Sequence, residues 1–224
     1  MRIVFLHTVL GVTDMFAGLI RQHLPASVEV LHIVDETIIA AVRAAGGPTP
    51  QVEDRIRQHA EAAAASGAAA LQLTCSTVSP CAAGVAKCVP IPVFTIDGPM
   101  ARQAVRSYSR IGVLATNRAT LSPTLRTIRQ AARSAGRSVS LKARECDAAY
   151  KAFLRGDRAT HDQIVTKEAA RLARGVDAVV LAQASMARLA PELSALPVPV
   201  LTTPGPAMQH LARFVARREK SARG

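Results

Sequence analysis

The stretch AAALQLTCSTVSP at residues 68–80 and the stretch DAVVLAQASMARLAP at residues 177–191 read as one pattern written twice. Each is an apolar run that ends in small polar residues and then turns toward a proline. Two further pairs lie around them in the same order. Segment 3–8, IVFLHT, pairs with 111–116, IGVLAT, and segment 91–103, IPVFTIDGPMARQ, pairs with 198–209, VPVLTTPGPAMQ. The intervals run in parallel, 67 residues from Thr8 to Cys75 and 68 from Thr116 to Ala184. Three matches in one order imply two similar halves, residues 1–98 and 99–210, with a helix end and basic tail at 211–224.

Outward from this repeat, short apolar runs alternate with longer amphipathic or Ala-rich stretches. Strands are expected at 2–8, 28–35, 68–75 and 91–97, and again at 110–116, 138–144, 176–183 and 198–203. The runs are β-branched and almost continuously apolar, the pattern of parallel strands covered on both faces. Helices are expected at 14–24, 50–66, 118–135, 158–174 and 205–219. Asp14, Pro50, Asn117 and Thr160 supply start signals, and Gly67, Gly136 and Gly175 supply stops. The expected fold class is α/β, with two similar open parallel-sheet halves related by pseudo-twofold symmetry and an active-site cleft between them. The last helix is expected to cross back onto the first half.

The chain has 224 residues, 49% of them hydrophobic and 3% aromatic. That apolar content excludes a disordered chain, and a core of this size needs no disulfide or metal to fold. No run approaches the roughly 18 apolar residues of a membrane span. The opening residues lack a cleavage signal and read as a buried first strand, so the four cysteines are expected to be reduced thiols in the cytoplasm. Charge is uneven. Residues 1–98 hold 6 basic and 8 acidic side chains, and the remainder holds 22 and 8. With no Trp and two Tyr there are few platforms for stacked bases, and the arginines at 126, 129, 133 and 137 are scattered along a helix. A solvated basic surface is the expected reading, with no nucleic-acid or membrane partner.

Ligands of open parallel sheets bind beyond the carboxyl ends of the strands. Those ends carry Thr8, Asp35, Cys75-Ser76-Thr77 and Asp97, then Thr116-Asn117, Ala184-Ser185 and Thr202-Thr203. None opens a Gly-rich dinucleotide fingerprint or a phosphate loop, which argues against a nucleotide cofactor. The spacings of Cys75, Cys81 and Cys88 fit no zinc pattern. Cys75 differs from the other cysteines because it ends a strand and precedes Ser76, Thr77 and a proline-opened turn. A helix starting near Ser79 would aim free N–H groups at the thiol, favour the thiolate and cradle a carboxylate or enediolate oxygen. Cys81, Cys88 and Cys146 are expected to be buried small hydrophobes.

On these residues, from IVFLHT through Thr74-Cys75-Ser76-Thr77 and RIGVLATNRAT to VVLAQASM, the chain resembles the aspartate/glutamate/hydantoin racemase superfamily. Its relatives include maleate isomerases and arylmalonate decarboxylases. The resemblance implies a cofactor-independent and metal-independent enzyme that holds the carboxylate of a small acid or amino acid between its halves. It implies Cys75 as acid/base, and Ser76, Thr77, Thr116 and Thr120 as carboxylate ligands, with Asn117 at the same strand end. Thr8 and Ser185 complete the pocket wall. Such enzymes place a second cysteine opposite the first, and here that place is assigned to Ala184. Alanine offers no proton, so His7 and Asp35 become the titratable candidates for the far face.

The expected activity is cysteine-dependent proton transfer at an α-carbon, as in an amino-acid racemase. A one-cysteine decarboxylase, a cis-trans isomerase or a non-catalytic carboxylate-binding protein stands as the alternative. A homo-oligomer, most simply a symmetric dimer, is the expected assembly.

Overall fold

The computed structural model describes residues 1–221, and the chain forms two compact units. Unit 1 comprises Met1–Pro99 and the segment that begins at Pro204, and unit 2 comprises Met100–Thr203. The chain therefore returns to unit 1 at Pro204, ahead of residue 211. Residues Ala222, Arg223 and Gly224 of the basic tail lie outside the described residues.

Unit 1 contains β1 (Arg2–His7), α1 (Thr13–His23), β2 (Glu29–Val34), α2 (Glu36–Ala45), α3 (Pro50–Ala65), β3 (Ala68–Leu73), α4 (Ala82–Val85) and β4 (Val93–Thr95). Its four strands are all parallel, in the order β2-β1-β3-β4. Unit 2 follows α5 (Gly98–Ser107), which opens at the boundary. It contains β5 (Arg110–Ala115), α6 (Arg118–Ser134), β6 (Ser140–Glu145), α7 (Asp147–Leu154), α8 (Arg158–Ala173), β7 (Ala178–Leu181) and β8 (Val200–Thr202). The order there is β6-β5-β7-β8, again all parallel. The final helix, α9 (Pro204–Ser221), packs along α1.

Local chemistry explains the boundaries. Thr49 accepts from the Val52 N–H ahead of Pro50, whose missing N–H costs nothing at the first helical position. Asn117 caps α6 through the Thr120 N–H, and Asp157 caps α8 through the Thr160 N–H. Thr160 therefore lies in the first turn of α8 and is not its cap. Gly67, at φ 78°, and Gly136, at φ 62°, end their helices in the left-handed region that other residues avoid. Helices α2 and α7 were not expected, because each is short and follows its strand after a single capping residue.

The central strands carry the cores. Ile3, Phe5 and Leu6 of β1 and Leu71 and Leu73 of β3 are buried with Phe16, Ile38 and Ile56. In unit 2, Ile111, Val113, Ala178 and Val180 pack against α5 and α6, while Leu114, Val179 and Leu181 pack against α8. Each large side chain sealed in this way contributes about 1.5–3 kcal/mol. Gly112 permits close approach of α8, since a Cβ there would meet the Leu172 side chain at 2.7 Å. The expectation of strands covered on both faces fails for β2 and β6. Both are edge strands with mostly exposed residues, Leu31 and Val34 among them.

Candidate active site

In both sheets the chain runs outward from the first strand to the second, then returns to the other side of the first. That reversal makes a switch point between β1 and β3, and another between β5 and β7, where the strand ends splay and ligands bind. Thr8 and Cys75 lie at the first switch point, and Thr116 and Gln183 at the second.

At the first, Thr74 continues the ladder by donating its N–H to Leu6 O. Cys75 follows in extended conformation as the cap of a 3₁₀ turn, Ser76–Cys81. Its side chain is partly exposed, whereas Ser76, Thr77, Val78 and Ser79 are all buried. The helical turn thus begins at Ser76, directly after the thiol. Cys81 and Cys146 are buried, and burial pushes each thiol up to about 11, with Glu53 adding to it for Cys81 and Glu168 for Cys146. Those two sulfurs are inert at neutral pH. Cys88 departs from the expected buried role, because it is exposed with its Sγ 3.6 Å from Gly84 O.

Thr74 also ties β3 to β1. Its hydroxyl donates to Leu6 O at 3.0 Å and therefore accepts from His7 Nδ1–H, also at 3.0 Å. That leaves His7 Nε2 as the acceptor of His32 Nδ1–H at 2.9 Å. The network assigns a neutral His7. Burial lowers its pKa to about 4, and the neighbouring His32 acts in the same direction. The ring is packed among Phe5, Phe16 and His32, with centroids at 6.2, 5.4 and 5.1 Å. Both ring nitrogens are occupied within unit 1.

Asp35 is likewise committed. It caps α2 through the Thr37 N–H and accepts from the Thr37 hydroxyl, Arg55 Nε at 2.8 Å and His59 Nε2 at 2.7 Å. Burial opposes ionisation, but the hydrogen bonds from Thr37, His59 and Arg55 outweigh it and hold the carboxyl well below the usual range. Neither His7 nor Asp35 is an unattached acid/base group.

Unit 2 repeats the ladder with different side chains. Leu6 pairs with Leu73 in the first sheet, and Leu114 pairs with Leu181 in the second. Ala182 N donates to Leu114 O just as Thr74 N donates to Leu6 O. The 3₁₀ turn Ala184–Leu189 then begins behind a cap formed by Gln183. The counterpart of Cys75 is therefore Gln183, one residue before the expected Ala184. Hydrogen-bonded register counts residues strictly, and the residue 67 positions after Thr116 is Gln183. Ala184 corresponds to Ser76, the first residue of the turn.

Gln183 is tied down. Its Oε1 accepts from Thr116 N at 2.7 Å, and its Nε2 donates to Thr116 Oγ1 at 2.9 Å. This bridge joins β5 to β7 at the position that the thiol holds in unit 1. Asn117 Oδ1 is used by the α6 cap, which leaves only its amide N–H groups for a ligand. Thr120 is buried, and Ser185 is partly buried on the turn. Thr8, Cys75, Ser76 and Thr77 thus gather at one switch point, and Thr116, Asn117, Thr120, Ala184 and Ser185 at the other. Among the described residues, no three His, Cys, Asp or Glu side chains are placed to hold a metal ion. No helix among them is long and apolar enough to cross a membrane.

Paired four-stranded parallel sheets with a cysteine at a switch point define an α/β class, and comparison with known proteins gives the family. The Asp/Glu/Hydantoin racemase family model matches residues 7–211, and the chain belongs to that family. Among solved structures, glutamate racemase from Bacillus anthracis is similar at a TM-score of 0.73 and 19% identity, covering 96% of this chain and 82% of that one. Allantoin racemase from Klebsiella pneumoniae is similar at 0.66 and 22%, covering 96% and 87%. An aspartate racemase homologue from Pyrococcus horikoshii is similar at 0.69 and 13%, covering 96% and 99%. A search of curated proteins finds no match.

Proposed function

We propose that this racemase-family chain is a cofactor-independent enzyme that moves a proton at the α-carbon of a small carboxylate or amino acid, with Cys75 as its one thiol acid/base. The observation that carries the reading is the partly exposed Cys75 at the first switch point, opposed in the repeat by Gln183, a side chain that neither takes nor gives a proton at neutral pH.

In the proposed step the Cys75 thiolate removes the α-proton, and the C–H electron pair moves into an enediolate. Donors fixed in advance stabilise that charge, each worth roughly 2.7–4 kcal/mol. Ser76 and Thr77 are the proposed donors in unit 1, and Thr116 and Thr120 are the proposed carboxylate-binding residues of unit 2. Thr8 is proposed to contact the substrate in unit 1, and Ser185 in unit 2. The thiol then returns the proton to the face from which it came. Inversion requires a donor on the opposite face, and an amide supplies none. Decarboxylation is the related outcome favoured by the same observation. There the C–C bond breaks, carbon dioxide leaves, and the Cys75 S–H protonates the enediolate from one side.

The test is incubation with a panel of carboxylates and amino acids in D2O, following the α-proton by NMR and configuration by chiral chromatography. Exchange faster than inversion, lost in Cys75→Ala, is the expected result. Inversion at the rate of exchange would overturn the single-face step, and exchange that survives Cys75→Ala would remove Cys75 from its role. Ligand-induced stabilisation with no exchange or decarboxylation across the panel would favour a carboxylate-binding protein.

A further inference from the structure

From Gly98 to Arg144 the chain contains ten Lys and Arg and no Asp or Glu. The fold sorts these residues unequally. Arg110 pairs with Asp177, and Arg144 pairs with Glu168, each partner coming from beyond the segment. On α6, by contrast, Arg126, Arg129 and Arg133 are exposed, and among the described residues none has a hydrogen bond or ion pair through its side chain. At 100° per residue the three lie within about 60° around the helix axis and rise over about 10 Å. Arg137, past the helix end, donates to the carbonyl of exposed Arg106 and brings the end of α5 beside them. The repeat alone left these arginines as a scattered solvated surface, and the helix gathers them into one row.

The row runs away from the strand ends along α6. Thr120 marks the end of α6 beside the strand termini, and Arg133 lies about 20 Å further along the helix. Arg126 and Arg129 lie about 9 and 14 Å from Thr120, so at physiological ionic strength, where the screening length is about 8 Å, the field of the row falls off steeply away from Arg126. The surroundings also select among polyanions. The apolar residues of α6, Leu121, Ile128 and Ala132, are spent in the core, so no exposed apolar stripe is left to enter a lipid surface. Tyr108 packs against the same core, so the face offers no ring on which an unpaired base would stack.

We infer that the α5–α6 face of unit 2 binds the phosphate backbone of double-stranded nucleic acid without reading its sequence. The charge of a duplex falls every ~1.7 Å along its axis, so a row about 10 Å long meets several phosphates together. The inference is independent of the proton-transfer reading, because the row and Cys75 lie in different units.

The experiment is fluorescence anisotropy with a labelled 24-base-pair DNA duplex of arbitrary sequence over a range of salt, run beside the matching single strand and phosphatidylserine vesicles. Arg126→Gln, Arg129→Gln and Arg133→Gln are combined in one variant, which keeps the helix formers exposed and leaves the core untouched. Binding by the native chain at low salt that weakens about tenfold or more in the variant, with the log–log salt slope falling by roughly 2 to 3, is the expected result. Unchanged melting temperature and far-UV circular dichroism show that the variant is folded. Absence of duplex binding at low salt, equal binding by the variant, or preference for single strand or vesicles would overturn the inference.

Discussion

The two sheets share strand order and ladder register, yet their switch points hold opposite kinds of chemistry. In unit 1 the β1–β3 tie runs through Thr74 and a buried neutral His7, which leaves the next position to a partly exposed thiol. In unit 2 the position of that thiol is itself the tie, because Gln183 bridges to Thr116. The caps after the second strand of each sheet repeat the contrast. Asp35 is a carboxylate held by four hydrogen bonds, while its counterpart Cys146 is a buried thiol with no side-chain cap bond. The two sheets thus share backbone geometry, while the positions that hold a partly exposed thiol and a carboxylate in unit 1 hold a bridging amide and a buried thiol in unit 2. Backbone register is fixed by hydrogen bonds that any side chain permits, whereas proton chemistry needs a particular atom.

The largest expected effect breaks the comparison at Cys75. Replacing it with alanine is expected to lower α-proton exchange by 10²–10⁴-fold, the range for a positioned acid/base, with little change in melting temperature. The reverse change erases the difference instead. Gln183→Cys places a thiol at the matching position of unit 2 and is expected to raise the ratio of inversion to exchange, read by chiral chromatography of the D2O samples. Gln183→Ala, which also removes the bridge but supplies no proton, is expected to leave that ratio unchanged.

Three stability measurements sharpen the contrast between polar and neutral ties. The folded pKa of His7, about 4, lies below the ordinary 6.5, so the unfolded chain binds a proton that the folded chain resists. The stabilising contribution is complete above pH 6.5 and is lost as pH falls toward 4, a difference of roughly 2–4 kcal/mol by linkage. His7→Asn is expected to flatten the fall in melting temperature between pH 6.5 and 4.5, measured by calorimetry. Asp35→Ala removes the α2 cap and leaves Arg55 and His59 without their acceptor, for an expected loss of roughly 2–3 kcal/mol in urea unfolding at pH 7. The smallest effect is expected for Gln183→Ala, about 1 kcal/mol from the lost bridge to Thr116.

The sequence pattern located the eight strands among the described residues and five of the longer helices, because apolar runs, caps and left-handed glycines are local signals. It also singled out Cys75 at the end of its strand. It misplaced the counterpart by one residue because similarity between VVLAQASM and LQLTCSTV has no register of its own. The 67-residue interval from Thr8 to Cys75, carried to Thr116, was the signal that points to Gln183. The edge positions of β2 and β6 were hidden for a related reason, since an apolar run does not say how many neighbours its strand has.

What the residues alone determined is the α/β alternation, its duplication and the chemistry available at each strand end, since these follow from period, composition and local backbone preference. Only the tertiary structure decided which of those groups stay accessible to a ligand. Hydrogen bonds between residues 67 apart consume His7 and Gln183, a set of donors from α2 and α3 (Thr37, Arg55 and His59) consumes Asp35, and the helical turn of α6 lines up its arginines. These are long-range or angular relations, and no linear pattern carries them.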